Sequence, residues 1–521
     1  MQKYLSLDVV YTYLIYRELM KELEEESPKL IMTLETLIDP GLKVLTEIEM
    51  TGIMVDREYL KKIESQIDTE LSVYLGEIRN LLWSRSPQDS ELSKSFNPNS
   101  STQVRDALYL TLLGGSQTGP TDKETLQSIS VSSKDPDIVT FCQLVTKYRE
   151  QSKALGTYVR GLLEHADSSG RVHSEFNLHG TSTGRLSSES PNLQNIPVLM
   201  GPIIRSGFIA RPGYIFAEID YSQLELRVAA LYSQDRVMIQ AYKDNRDIHK
   251  EVASAAFGVP YNEVTYEQRY AAKYIDFGVI YGRSAHSLAV GPELIEYGWT
   301  DAQAQKFIDG FLGEFKGLQS WMQRQKRQVS EHQYVESLTG RRRRWPFLTR
   351  KTLGSAERAA VNTPIQGLAS DFTLSALIRI HQLLSSKKSR IVSTVHDSIL
   401  FEFHFEEYLD LIPQVVEIMK MPPPGVEMNV PLKVDIEVGP SWGTLTDFSP
   451  GWVPDWQLGW YWYHPESDSW VHTPPGSADT PPDELCTGPF TLLQLAEIYD
   501  EHYSTVAWTA TILPSSGHPT K

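Results

Sequence analysis

Two strand-like segments far apart in the chain each end on an aspartate, and a helix bearing cations and aromatic rings lies between them. This restricts the fold more than any other feature, because two separate elements must bring their carboxylates to one point. Residues 215–227 read IFAEIDYSQLELR. The apolar lead into Asp220, with Leu224, Leu226 and Val228 following among polar positions, predicts a strand delivering Asp220 at its end and then a helix. Residues 390–403, RIVSTVHDSILFEF, set two apolar, β-branched runs around His396, Asp397 and Ser398, the pattern of a hairpin with Asp397 at its turn. The core of residues 269–282, RYAAKYIDFGVIYG, would also suit a buried strand. Arg269, Lys273, Phe277 and Tyr281 recur every fourth position, however, which makes one stripe on a helix.

Taken singly, each segment has a plain structural explanation. An aspartate at a strand end is often a turn former or a helix cap, and a stripe is often one face of an ordinary amphipathic helix. Together they suit one chemistry. Carboxylates converging from separate elements offer oxygen ligands to hard divalent cations, and in-line phosphoryl transfer is served by two such ions about 4 Å apart. Two cations followed by two rings suit a nucleoside triphosphate, the cations meeting phosphates and the rings stacking on base or sugar. Gly278 costs about 1 kcal/mol within a helix and leaves room for a base to approach.

Of the 521 residues, 41% are hydrophobic and 22% charged, the balance of a soluble, multidomain protein. The N-terminus is broken by Lys3, Asp8 and Arg17, so neither a membrane span nor a secretory signal is expected. Cys142 and Cys486 show no metal-ligand spacing and suit a reducing cytoplasm without disulfides. The net charge of −17 argues against a polyanion as partner. Residues 445–521, however, hold ten Asp or Glu against one Lys, a net of −9, so about half the excess acid sits in one segment. Arg341, Arg342, Arg343 and Arg344, with Arg350 and Lys351, form a basic cluster that permits local phosphate contact.

Residues 1–26 are expected to be helical, and residues 28–82 to continue as amphipathic helices around a turn at Met50, Thr51 and Gly52. Residues 83–135, rich in Ser, Asn, Pro, Gly and Thr, are expected to form loops or a flexible tip. Short apolar strands then alternate with long helices over residues 171–447. From Ser449 the composition changes, with five Trp between Trp452 and Trp470 and then a Pro-rich stretch.

In their order along the chain, Asp220, residues 269–282 and Asp397 are similar to motifs A, B and C of family A DNA polymerases, the bacterial DNA polymerase I type. Residues 180–188 (GTSTGRLSS), 191–197 (PNLQNIP), 247–249 (DIH), 340–342 (GRR), 357–360 (ERAA) and 431–442 resemble the same family, as do Gln366 and Gly367. The likeness covers residues 28–447. It implies an α+β right hand with a thumb at 28–170, a palm at 171–235 and 355–447, and fingers at 236–354. It also implies template-directed transfer of dNTPs to a primer 3′-hydroxyl with two Mg2+ ions, Mn2+ being able to substitute. In this resemblance Asp220, Asp397 and the carbonyl of Tyr221 hold the metals. Lys273 and Arg269 grip the triphosphate, Lys273 protonating the departing pyrophosphate. His249 and Gln223 support triphosphate and sugar, Phe277 and Tyr281 meet the incoming nucleotide, and Glu225 is the steric gate against a ribose 2′-hydroxyl. Arg185, Arg358, Asn362, Gln366 and His396 track primer-template DNA. A single-subunit RNA polymerase shares the palm, but Glu225 opposes that reading; the retained Asp220, Lys273 and Asp397 oppose a non-catalytic DNA-binding scaffold. A phage replicase is the expected owner.

The chain departs from the family pattern at Ser398, where Glu usually follows the aspartate, and at Asp276, where Asn is common. Both read as tuning, and a Glu at 398 is expected to be tolerated. Within residues 1–27, Tyr4, Asp8, Tyr11, Thr12 and Tyr16 resemble the last motif of a 3′–5′ exonuclease whose other carboxylates are missing. No proofreading is therefore expected of this chain, and a separate exonuclease polypeptide is the expected partner near residues 1–26. Residues 449–521, with Trp460-Tyr461-Trp462-Tyr463-His464-Pro465 and Gly488-Pro489-Phe490, resemble a small α+β GYF-type adaptor module. Its Gly-Tyr-Phe triplet is absent, His502-Tyr503-Ser504 being nearest. The acidic balance points to a protein partner over a second DNA grip, and a replication protein is the expected one.

Overall fold

The computed structural model describes residues 2–448 apart from 87–93, 116–117, 198–199 and 292–297, together with the backbone of four strands between Trp460 and Ala510. At its centre lies an antiparallel five-stranded sheet built from β1 (Tyr214–Tyr221), β2 (Arg390–Val395), β3 (Ser398–His404), β4 (Val434–Gly439) and β5 (Thr446–Asp447), in the order β5-β4-β1-β3-β2. Alternation along β1 decides what each face does. Ile215, Ala217 and Ile219, with Ile399, Phe401, Phe403 and Val438, turn into the largest core, which also takes in Ile365, Leu368 and Phe372. On the other face Phe216 and Leu400 join Phe208, Val392 and Trp442 in a second core, and Glu218 and Asp220 share that face. A slip of one residue would send both carboxylates into the hydrophobic core, so the apolar pattern fixes the register.

Four helices position most of the remaining site residues. The first, α1 (Leu224–Ser233), leaves the end of β1; α2 (Ile248–Phe257) and α3 (Tyr266–Ile280) pack on each other; α4 (Arg350–Leu384) runs 35 residues past the sheet. The strand before α1, the hairpin around Asp397 and the helix over residues 269–280 match the sequence expectation.

The segment 83–135 corrects it. Helical turns span Ser101–Arg105, Asp106–Leu112 and Lys123–Ser132. Phe96, Val104, Leu108 and Leu126 are at most 1% exposed and close a separate core with Ile78, Leu82 and Phe141. The polar residues that mark this stretch as loop include helix caps: Ser100 accepts from the Gln103 N–H and Asp122 from the Thr125 N–H. Upstream, Leu37, Val44, Leu45 and Ile48 pack into the core of the sheet. The helix Asp39–Thr51 ends at Gly52, whose φ of 61° lies in the left-handed region that glycine adopts freely.

The helix Gln2–Glu26 forms as expected and carries exposed Leu7, Val10, Tyr11, Leu14, Ile15 and Leu19. Its last residue is tied to Arg342 at 2.7 Å and to Arg344. These contacts revise the reading of the basic cluster. Arg341 pairs with fully buried Asp371 at 2.7 Å, Arg342 also binds Glu336 at 2.5 Å, and Arg343 lies over the Trp345 ring and donates to Thr363. These four arginines hold the protein to itself before any phosphate arrives.

Trp460–His464, Ser469–Thr473, Thr487–Phe490 and Thr509–Ala510 form a second sheet, mixed in direction. The helical part of the GYF reading, and His502-Tyr503-Ser504, lie outside the described residues. Cys142 is buried and free, and burial pushes its thiol up to about 11; Cys486 is outside the described residues. Among the described residues no helix is long and apolar enough to cross a membrane.

Candidate active site

At the end of β1, Asp220 faces Ser398 on β3 and Asp435 on β4 in register. The two-residue hairpin turn puts His396 in the left-handed region, φ 55°, and the carbonyl of Asp397 accepts the Tyr221 N–H at 3.3 Å. The strand end and the hairpin turn are thus fastened, and Asp220 and Asp397 share one corner of the sheet. Asp220 opens onto the cleft, yet the protein around it, then Asp397, Glu218 and Asp435, push its carboxyl up to about 7, with Lys273 opposing. Burial likewise raises Asp397, Arg185 pulling the other way. Repelling carboxylates and backbone oxygen are the donor chemistry that a hard divalent cation takes. Among the described residues no three acidic, His or Cys side chains converge to hold a metal by themselves.

A second cluster centres on Glu225, in the first turn of α1 and 6% exposed. Its two oxygens accept from the Arg185 guanidinium and the Tyr281 hydroxyl. Burial raises Glu225 to about 7 and Asp397 adds to the rise, while Arg185 opposes it. Tyr281, just past the end of α3, is therefore fastened to the helix that leaves β1.

The third cluster was not foreseen. Asp247 caps α2 through the His249 N–H at 3.0 Å, and also accepts from Arg269 Nε at 2.6 Å and Gln223 Nε2 at 3.3 Å. Burial opposes its ionisation, but the Arg269 contact prevails and holds Asp247 below the usual carboxylate range. One carboxylate so gathers three residues assigned to the triphosphate. The cap pattern, Asp before a helical run, was the available signal. Glu218 and Asp435 were also missed, although the alternation in residues 434–438, VDIEV, places Asp435 on one sheet face.

His249 is 2% exposed, and its Nδ1 lies 2.6 Å from Oδ2 of fully buried Asp276 on α3. The structure seats this pair in the seam between α2 and α3, away from solvent. Lys273 is exposed on α3. Phe277 lies on α3, its side chain outside the described residues. Gly278 is bare for a reason other than the expected one: a Cβ there would come 2.5 Å from Leu288 Cδ2, so the position serves packing of the next helix. On α4, Arg358, Asn362 and Gln366 follow at four-residue spacing along one face. Arg358 crosses Gly282, where a Cβ would meet its Cγ at 2.8 Å, and Asn362 Oδ1 is buried with no partner among the described residues. Surrounding protein, then Arg185, hold the His396 imidazole below its usual range.

Comparison with known proteins agrees with this geometry. The profile of DNA polymerase family A matches residues 57–444. DNA polymerase I of Caldicellulosiruptor bescii is 34% identical over 84% of this chain and 50% of that protein. The Bacillus subtilis DNA polymerase I is 35% identical over 82% and 47%, and the thermostable Thermus aquaticus DNA polymerase I is 36% identical over 77% and 47%. The chain spans about half the length of these relatives. The POL domain of Pol1 from M. smegmatis, solved with DNA primer-template and dNTP, is 32% identical and superposes with a TM-score of 0.68 over 78% of this chain and 70% of that one. The chain belongs to DNA polymerase family A.

Proposed function

We propose that this chain catalyses template-directed addition of dNTPs to a primer 3′-hydroxyl, releasing pyrophosphate. The observation that carries the reading is the corner where β1 and the β2–β3 hairpin bring Asp220 and Asp397 together, within electrostatic reach of Lys273. The solved mycobacterial relative, which holds primer-template and dNTP, supports it.

Asp220, Asp397 and the Tyr221 carbonyl would hold two Mg2+ ions, or Mn2+, which when bound acidify the 3′-hydroxyl and steady the pyrophosphate. Lys273 meets the triphosphate as an exposed cation and gives a proton to the leaving group. Arg269 meets the phosphates from its place on Asp247, which binds Arg269 Nε through Oδ2 and Gln223 through Oδ1. His249 takes part once the seam between α2 and α3 opens. Glu225, packed under Tyr281, fills the space that a ribose 2′-hydroxyl needs. The face of Arg358, Asn362 and Gln366 meets minor-groove acceptors, which are shared by correct pairs and so report shape without reading sequence.

In this assignment residues 28–170 are thumb, 171–235 and 355–447 palm, and 236–354 fingers. Proofreading belongs to a separate exonuclease polypeptide docked on the exposed apolar helix Gln2–Glu26, and residues 449–521 bind a replication protein. Primer extension with the purified chain tests the core of the reading: dNTP-dependent, template-matched extension is expected. Binding of primer-template without extension would favour a scaffold, and equal use of ribonucleotides an RNA polymerase.

A further inference from the structure

We propose that Glu218 supplies the cation site with the negative field that a carboxylate following Asp397 would otherwise bring, and that Ser398 is the residue that holds Glu218 in place. The inference rests on the polymerase reading above. Glu218 and Asp220 are two residues apart on β1, so both project from the cleft-side face of the sheet. Ser398 stands opposite Asp220 and diagonal to Glu218, and its Oγ donates to Glu218 Oε1 at 2.8 Å. The second oxygen, Oε2, accepts from Trp442 Nε1 at 2.9 Å. The Glu218 side chain is 14% exposed, so two neutral donors fix a carboxylate in a partly desolvated position.

The other acidic side chains of this face differ. Asp435 and Glu437 are exposed, and Asp435 pairs with Lys433 at 3.4 Å. Arg205 approaches Glu218 only to 4.0 Å, at Oε2, and is itself a third exposed. The charge at Oε1, on the Ser398 side, is left to act towards Asp220. Fixed charge in a site that excludes water acts more strongly than the same charge in solvent. Glu218 is accordingly among the groups that raise Asp220.

This arrangement argues against the expectation that Glu is tolerated at 398. Ser398 is 5% exposed, and a carboxylate in its place would meet Glu218 Oε1 with no cation between them. The carboxylate has in effect moved from the hairpin turn to the neighbouring strand. Either position can hold it, but both together repel.

The experiment is a swap. Glu218→Gln, Ser398→Glu and the double variant Glu218→Ser with Ser398→Glu are compared with wild type in two assays. Mn2+ binding is followed by electron paramagnetic resonance on the complex with a dideoxy-terminated primer-template and dNTP, where no turnover occurs. Single-nucleotide insertion gives kcat and KM. Glu218→Gln is expected to weaken Mn2+ binding about fivefold and lower kcat about tenfold with KM for dNTP within about twofold, the split for a residue acting on the transition state. Ser398→Glu should lose at least as much, and the double variant should return to within about threefold of wild type in both assays. Unchanged Mn2+ affinity in Glu218→Gln overturns the inference, as does a double variant no better than the worse single one. A lowered unfolding midpoint with unmoved Mn2+ affinity also overturns it, leaving Glu218 a support for Trp442. Failure of the wild type itself to extend a primer removes the polymerase reading instead.

Discussion

Asp276→Asn isolates what a buried carboxylate does in the seam between α2 and α3. Asp276 is fully buried, its Oδ2 2.6 Å from His249 Nδ1 and its Oδ1 without a partner among the described residues. Burial raises it from 3.8 to about 6 against the pull of His249, and Asp247 adds a smaller repulsion. A carboxylate raised in the fold gains stability from its bound proton below the unfolded value, near 3.8, and loses that gain as pH rises through about 6. At 1.36 kcal/mol per unit, a rise of about two units puts the cost of the ionised form near 3 kcal/mol, and about 2 after allowing for the coupling to His249. Asparagine keeps an oxygen facing His249 Nδ1 and removes the charge. Asp276→Asn should therefore stabilise the protein by about 2 kcal/mol at pH 8. At pH 5 Asp276 carries its proton, the charge difference between the two side chains disappears, and the gain should fall to near zero. Urea titrations at the two pH values read this directly, and KM for dNTP reports whether His249 also serves the triphosphate. A variant less stable than wild type at pH 8, or a difference that does not change with pH, would refute the account of the pair.

Asp220→Asn and Asp397→Asn should each lower single-nucleotide insertion at least about hundredfold while primer-template affinity, read by fluorescence anisotropy, stays within about threefold; a tenth of wild-type insertion in either contradicts the metal assignment. Glu225→Ala removes the shared acceptor of Arg185 and Tyr281 and opens the sugar space, so the ratio of ribonucleotide to deoxyribonucleotide incorporation should rise about tenfold or more. An unchanged ratio would place the sugar elsewhere. Deleting residues 449–521 should leave insertion within about threefold and abolish capture of a replication protein, since the net −9 of residues 445–521 repels DNA; a severe loss of insertion would make the segment part of the polymerase.

How far each residue could be read from the sequence depended on where its partner lies. The strand to Asp220, the hairpin at Asp397 and the stripe on α3 are set by apolar residues two or four positions apart, and those periods survive folding because they create the buried faces. The meeting of the two aspartates follows, since register is fixed by the same apolar alternation. Lys273, on that stripe, is exposed and carries no ion pair among the described residues, so its charge is open to a ligand. The arginine cluster was not, because Glu26, Glu336 and Asp371 are brought to it by the fold and no local pattern announces them. The same holds for His249, whose partner Asp276 comes from the next helix, and for Ser398, whose partner Glu218 is on another strand. Segment 83–135 failed for the opposite reason: its Ser and Asp signals are local, and the same residues serve loops and helix caps alike. A charged residue in this chain therefore acquires its role from the carboxylate or guanidinium that tertiary packing sets beside it. The two departures from the family pattern, Asp276 and Ser398, each gain a meaning only when that distant partner is known.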